Sequence, residues 1–588
     1  MTRSTYKIGY GTLRSLFTDL CLSVLIAIAL AGLAFSSQDP SENETLEVQI
    51  LAINDLHGHL EPPQGTVTVG YNSSCQPVRV EAGGVEYLAT HIKGLKATNP
   101  ETILVSAGDN IGASPLISAL FHDEPTIEAL SMMGFDYSAA GNHEFDEGAT
   151  ELLRMQYGCC HPETGCQDGD RFAGAGFKYL TANVVNETTN ETLFPPYAIR
   201  NVHGVPVAFI GVSLKSTPAV VVPSGVEGLK FTDEAEAINK DVEILKDEGV
   251  ETIVVLIHDG GLSAGLPDEG MKPCEPLEDI VNRTDDEVDL FITGHSHQAY
   301  IAKIDGRLVT QAGWEGNFIT DIDLLISPET KDVVEVRAKN LAVTRDVPKD
   351  PAVSQLLEKY ANLVGPLANK VIGAVTADIT KNYTESGEFP LGDLIADAQL
   401  SATSSNEGAV VAFMNPGGIR TNILFNEITG DEKPGEVTYQ EAFDVQPFDN
   451  SMMVMNLTGE QIDAILEEQF DNPSQGQNRI LQVSRGFTYA WCESAPTGSK
   501  VEVSSIKIDG VPIDPEGTYR VAANFFLAEG GDGFVTFQEG VDRICGITDL
   551  EALVNYLEEN SPVSPSPMGR ISLADGASCG LSAPMATA

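Results

Sequence analysis

From about residue 46 to residue 345 the chain alternates two hydrophobic patterns. One is the short continuous apolar run: "VQILAI" (48–53), "TILVS" (102–106), "TIVVLI" (252–257) and "VDLFIT" (288–293). Runs of this length, rich in β-branched residues and bounded by polar or glycine residues, predict buried strands. The other pattern is helical. In "DEAEAINKDVEILKDEG" (233–249), Ala235, Ile238, Val242 and Leu245 recur at spacings of three and four. Strands alternating with helices predict a layered α/β domain over 46–345. The stretch "DPAVSQLLEKYANLVGPLANKVIG" (350–373) reads as a helix that Gly365-Pro366 ends or kinks, and it forms the expected connector over 346–372. A second, smaller α/β region is expected over 373–575, closing in the Pro/Ser-rich "NSPVSPSPMGR", with a tail at 576–588.

The first 36 residues follow a different pattern. Arg3, Lys7 and Arg14 precede the apolar run "LCLSVLIAIALAGLAF" (20–35), and small polar residues follow it. A basic stretch, an apolar stretch and small residues near a cut site predict a secretory signal over 1–36. A retained anchor helix is the alternative reading of the same run. No later stretch is apolar enough to span a bilayer, so a secreted, periplasmic or otherwise extracellular protein without a span after signal removal is expected.

Composition sharpens this picture. The 588 residues are 42% hydrophobic, which suits a globular protein of more than one domain. Asp and Glu number 85 against 35 Lys and Arg, a formal charge of −50. Such a surface excludes a broad grip on the phosphate backbone of nucleic-acid polymers and adhesion to anionic lipid. Eight cysteines remain after the signal (Cys75, Cys159, Cys160, Cys166, Cys274, Cys492, Cys545 and Cys579), and an even number in an exported chain predicts disulfides. The cluster "GCCHPETGC" (158–166) is read as a stapled loop, with zinc binding as the alternative.

The candidate chemistry lies where the apolar runs stop. "VQILAINDLHGHLEP" leads to Asp55, His57 and His59; "TILVSAGDNIGASP" to Asp109 and Asn110; "FDYSAAGNHEFDEG" to Asn142, His143 and Asp146. "TIVVLIHDGG" leads to His258 and Asp259, and "VDLFITGHSHQ" to His295 and His297. The carboxyl ends of strands in an α/β sheet share one edge, where ligands bind, so five such ends predict one cleft. Imidazole, carboxylate and amide oxygen together suit divalent ions such as zinc, manganese or iron. A central Asp can bridge two ions, and paired ions promote in-line displacement at phosphorus.

In this order "DLHGH", "GDNIGASP", "GNHEFDEG", "IHDGG" and "GHSHQ" resemble the calcineurin-like metallophosphoesterases, and within them the 5′-nucleotidase family. The resemblance continues in "NPGGIRTNI" (415–423), "QPFDN" (446–450) and "NFFLAEGGDGF" (524–534) and so covers nearly the whole chain after residue 46. It implies an N-terminal four-layer α/β/β/α catalytic domain, a connector helix and a smaller C-terminal α/β substrate-binding domain. It further implies two divalent ions, zinc, manganese or similar. Asp55, His57 and His297 would hold the first, Asp109 would bridge both, and Asn142, His258 and His295 would complete the second. His143, oriented by Asp146, would contact the phosphate and stabilise the transition state. Water bound between the ions would attack phosphorus directly. His59 and Asp259 are left outside the ligand set.

The same resemblance assigns a substrate side. Phe448 and Phe526 match two aromatic clamps for a base, Asp532 would accept hydrogen bonds from ribose, and Asn415 and Arg420 would reach base or phosphate. The family's further arginine ahead of the "FPLGDLIADA" (389–398) helix is absent, and Lys381 stands nearby as a substitute. The expected function is therefore a secreted nucleotide phosphohydrolase. Alternatives are a 2′,3′-cyclic-nucleotide phosphodiesterase or nucleotide-sugar hydrolase of the same family, and a non-catalytic nucleotide-binding protein.

Overall fold

A computed structural model describes residues 45–574 apart from 73, 429 and 431. The expected signal, the tail and Cys579 lie outside the described residues. Among the described residues, no helix is long and apolar enough to cross a membrane.

Two six-stranded sheets form the first half. One runs in the order Val333–Ala342, Phe318–Ile326, Leu46–Ile53, Ile103–Ser106, Tyr137–Ala139, Lys178–Leu180. The other runs Ala299–Ile304, Arg307–Ala312, Val288–Thr293, Thr252–Ile257, Val205–Val212, Tyr197–Val202. Side chains of the first strand alternate between faces. Val48, Ile50 and Ala52 point toward the second sheet and pack in one core with Phe209, Val254, Leu256 and Ile292. Leu51 and Ile53 point the other way, into a core built with the helices Val85–Lys96, Glu124–Met133 and Pro351–Ala368. On the far side, Ile210, Val255 and Phe291 meet the helices Glu234–Asp247 and Glu275–Arg283. Four layers result, helix, sheet, sheet, helix. Because both faces of the central strands are covered, these strands read as continuous apolar runs and not as alternation.

Helix Glu234–Asp247 buries the predicted Ala235, Ile238, Val242 and Leu245, and the Asp233 carboxylate caps it by accepting from Glu236 N. The helix at the predicted connector runs over Pro351–Ala368, with Asp350 accepting from the amides of Ala352 and Val353. It continues through Gly365-Pro366, so the proline does not end it. Its Val353, Leu357, Tyr360 and Val364 are buried on the first half, where the Tyr360 ring meets Phe121 edge to face at 4.8 Å.

The second half centres on a five-stranded sheet in the order Gln482–Val483, Val411–Met414, Thr518–Asn524, Ser451–Thr458, Val541–Thr548. Helix Pro390–Ser404, which carries "PLGDLIADA", packs on it, as does Asp549–Asn560, whose Thr548 and Glu551 form a reciprocal cap. Cys160 and Cys166 are bonded to each other, closing the loop between helix Ala149–Tyr157 and strand Lys178–Leu180.

Candidate active site

The five predicted strand ends come together, but from two sheets and not one. Those carrying Asp55 and His57, Asp109, and Asn142 and His143 leave the first sheet; those carrying His258, and His295 and His297, leave the second. The sheets face each other with these ends on a common side. Immediately past the strands the backbone turns sharply. Asp55, His57, Asp109, His295 and His297 all have positive φ, between 46° and 68°. A non-glycine residue held there costs on the order of 1–3 kcal/mol, and such strain persists only where the surroundings enforce it. Backbone bonds between the turns do so here: Asp55 N donates to Gly108 O at 3.0 Å and His57 N to Asp109 O at 3.0 Å. Glu144 adds a buried clamp, its carboxylate accepting from the amides of Asp109 (2.8 Å), Asn110 (2.9 Å) and Gly141 (2.6 Å). Gly141 cannot be replaced without moving this assembly, since a Cβ there would fall 2.1 Å from Asp109 Oδ1.

The donor atoms form three groups, the middle one, His57, Asp109 and His143, sharing a member with each of the other two. Asp55, His57 and His297 bring one ligand atom each within 4.8 Å of one another, and so do Asp109, His258 and His295. Asp109 lies between them: its Oδ2 is 3.0 Å from His258 Nε2 and 3.8 Å from His57 Nε2. Asn142 Oδ1 is 3.0 Å from His295 Nδ1. The Asp55 carboxylate accepts from the His295 amide, and Asn54 Nδ2 holds it from behind at 2.6 Å.

Hydrogen bonds on the outer side fix the imidazole tautomers. His258 Nδ1 faces the Ala107 carbonyl at 2.9 Å, and His57 Nδ1 faces that of Gly112 at 3.0 Å. A carbonyl only accepts, so each ring donates from Nδ1 and turns Nε2 inward. His258 Nε2 is buried and makes no hydrogen bond although Asp109 is beside it, and His57 Nε2 meets His297 Nε2 at 3.0 Å. Ring nitrogens turned toward carboxylates and toward each other fit divalent cations between them. Burial disfavours charge on His258, yet the Asp109 and Asp55 carboxylates outweigh it and push the imidazole up to about 10. The cluster thus stabilises positive charge at its centre.

His143 stands beside this cluster with Nδ1 2.8 Å from Asp146 Oδ2, and its backbone N–H donates to Asp109 Oδ1. Burial opposes protonation of His143, but Asp146 and Asp109 outweigh it and the net shift is upward. His59 and Asp259 lie outside these groups: His59 Nε2 is 3.4 Å from Glu315, and Asp259 accepts from the Gly260 amide at 2.7 Å.

A cavity of about 320 Å³ extends from this end of the sheets into the second half, with Asn142, His143, Arg420, Phe448, Phe526 and Asp532 in its wall. The Phe448 ring stacks on His143, and the Arg420 guanidinium lies 5.9 Å from the Phe448 centroid. Phe526 lies flat on Gly531, where a Cβ would come within 2.5 Å of the ring. Asn415 Nδ2 donates to Asp532 Oδ2 at 2.9 Å. Lys381 is not in this wall: its ammonium donates to the Ile419 carbonyl behind Arg420 and steadies that loop. Arg479, which no motif marked, does reach the cavity and pairs with Asp532 Oδ1 at 2.7 Å. Glu144, inside "GNHEFDEG", and Asn54, beside Asp55, carry no assigned role in the sequence reading, because the bonds that give them one run to backbone groups on other turns.

Residues 48–299 match the family model of the calcineurin-like phosphoesterases, and residues 371–539 that of the 5′-nucleotidase C-terminal domain. The chain belongs to the 5′-nucleotidase family. Similar family members include a protein named endonuclease YhcR from Bacillus subtilis, 34% identical over 92% of this chain. The chain spans 42% of that protein's length. The cell wall protein Lmo0130 of Listeria monocytogenes is 32% identical over 92% of this chain and 71% of its own. Among solved structures, a 5′-nucleotidase precursor from Thermus thermophilus superposes with a TM-score of 0.73 at 28% identity, covering 90% of this chain and 99% of that one. As a family member the chain is a metal-dependent phosphoesterase, and the fold implies divalent metal ions.

Proposed function

We propose that this phosphoesterase is exported and hydrolyses nucleotides with two divalent ions, zinc, manganese or similar. Asp55, His57 and His297 would hold one ion and Asn142, His258 and His295 the other, with Asp109 placed to serve both. Two such ions withdraw charge from a phosphoryl group and lower the pKa of water. The chain's own groups do the rest. His143, protonated through its contact with Asp146, donates to the phosphoryl oxygens as negative charge grows on them. Arg420 adds a fixed positive charge on the same side. Phe448 and Phe526 hold the base by stacking, which tolerates different bases. Asp532, oriented by Asn415 and Arg479, accepts from the ribose hydroxyls. Export rests on the basic-then-apolar N-terminal pattern and on likeness to a cell wall protein.

The observation that carries this reading is the position of Asp109 between two donor groups at one end of the cavity that holds Phe448 and Phe526. The test is phosphate release from AMP, UDP-glucose and 2′,3′-cyclic AMP by one metal-loaded preparation. AMP is expected to turn over fastest; absence of release from all three contradicts the proposal.

One further observation favours a second reading, cleavage of phosphodiesters. Another cavity, of about 260 Å³, is lined by His297, Gln298, Trp314 and Phe318. It offers room for a leaving group larger than water, and the Bacillus relative is named an endonuclease. Turnover of a dinucleotide faster than AMP would select this reading.

A further inference from the structure

Four metal-ligating side chains meet at the rim of the cavity, away from Asp109. His122, Glu147, Glu151 and His161 bring one donor atom each within 4.8 Å of one another. They come from three separate places: the turn before helix Glu124–Met133, the start of helix Ala149–Tyr157 with the residues just before it, and the loop closed by Cys160–Cys166. We infer that these four residues form a further divalent-cation site, of the zinc class, that pins the disulfide-closed loop to the rim of the nucleotide cavity.

Three features carry the inference. First, the donor set is two imidazoles and two carboxylates, which suits zinc in tetrahedral coordination. Ligands about 2.0–2.1 Å from such an ion stand roughly 3.3 Å apart, so the widest donor–donor spacing has to shrink by at most about 1.5 Å to close the set. Second, the two imidazoles are already arranged side by side. Their rings stack with centroids 3.8 Å apart and 13° between planes, and Thr164 Oγ1 lies 3.0 Å from both His122 Nε2 and His161 Nδ1. Third, the supports are rigid. His122 and Asp123 have φ of 51° and 61°, and the Asp123 carboxylate holds this turn to Ser118 and to the Gly112 amide. Arg154 fixes Glu151 from behind through its Nε, 2.9 Å from each carboxylate oxygen, and its Nη2, 2.6 Å from Oε1, while its Nη1 reaches Glu124 and the Cys159 carbonyl.

Binding exchanges a proton for the ion. His122 Nδ1 is 2.7 Å from Glu147 Oε2; in the imidazolium both ring nitrogens carry a proton, the ion takes the place of the one on Nδ1, which leaves to solvent, and the one on Nε2 stays. The ring then donates from Nε2 to Thr164 Oγ1, so that a hydroxyl behind the ligand fixes its tautomer. The Thr164 amide, 3.2 Å from His161 Nδ1, gives up that contact as the ring turns to the ion. Two carboxylates balance the charge. The chemistry of the loop is thus carried by its histidine and not by Cys160 and Cys166, which are bonded to each other.

The test counts ions. Full-length protein is stripped with chelator, reloaded with zinc, freed of excess and analysed for zinc per chain, in parallel with His161→Ala and Glu147→Gln. Each variant is expected to hold one ion fewer than the wild type, to lose part of the zinc-induced rise in Tm, and to keep hydrolysing AMP. Cobalt loaded in place of zinc is expected to give a wild-type-minus-variant difference spectrum in the visible range. If His161→Ala does not fold, Glu147→Gln, at a half-exposed position, decides alone. Ion counts equal to the wild type in the folded variants overturn the inference.

Discussion

The ring of Phe448 lies on that of His143, centroids 5.7 Å apart and planes inclined by 24°. One belongs to the half of the chain that matches the 5′-nucleotidase C-terminal model, the other to the phosphoesterase half. The wall assigned to the base therefore touches the group assigned to the phosphate. On the proposed function, a nucleotide that enters between them would replace this contact with stacking of its own base on Phe448. Phe448→Ala is expected to lower kcat/KM for AMP by about 5- to 150-fold, the range that stacking of ~1–3 kcal/mol implies. Hydrolysis of p-nitrophenyl phosphate, which has no base, is expected to change little. Equal losses on both substrates would contradict the assignment.

His143 is read as a donor to the phosphoryl group and not as a metal ligand. His143→Gln is expected to reduce kcat by about 10²–10³-fold, as removal of one transition-state donor does, with the metal content of the protein unchanged. Asp146→Asn keeps the ring in place with a weaker partner and is expected to lose less. A fall in bound metal in either variant would place His143 among the ligands.

The path from sequence to fold was legible where burial imposes a pattern. Continuous runs such as "TIVVLI" gave buried strands because both sheet faces are covered, and the donors were visible because each apolar run ends in them. That the ends belong to two facing sheets is a fact of long-range pairing, Leu46–Ile53 with Ile103–Ser106 and Thr252–Ile257 with Val288–Thr293, which local pattern does not carry. Glu144 and Asn54 act on amides and carbonyls of other turns, and Arg479 reaches Asp532 across 53 residues, so no spacing announces them. Gly365-Pro366 reads as the end of the helix or a kink in it, and the packing of Val364 and Ala368 on the first half carries the helix past it.

Electrostatics makes a separate prediction. An anionic nucleotide approaches a chain of formal charge −50, so long-range repulsion opposes encounter and salt screens it. With metal occupancy held fixed, kcat/KM for AMP is expected to rise as ionic strength increases toward physiological values. A steady decline would mean that local cations govern the approach from long range.

Stability should depend on pH through buried carboxyls remote from the metal cluster. Burial, reinforced by Asp449, pushes Asp549 up to about 8. The unfolded chain has its aspartates near ~3.9, so between these values the native state binds the extra proton and stability falls as pH rises. The contribution is fully present at acid pH and lost through about pH 8. Asp549→Asn keeps an acceptor for the Leu550 amide and is expected to flatten the decline of Tm between about pH 5 and about pH 9. Parallel Tm profiles for the two proteins would rule this contribution out.

The central claim is that Asp109 sits between two cations. Crystals grown with zinc and measured at the zinc absorption edge test it directly. Two anomalous peaks are expected within bonding distance of the Asp109 carboxylate, one shared with His57 and the other with His258. A chain that hydrolyses AMP under the same conditions while no peak lies beside Asp109 would contradict the account.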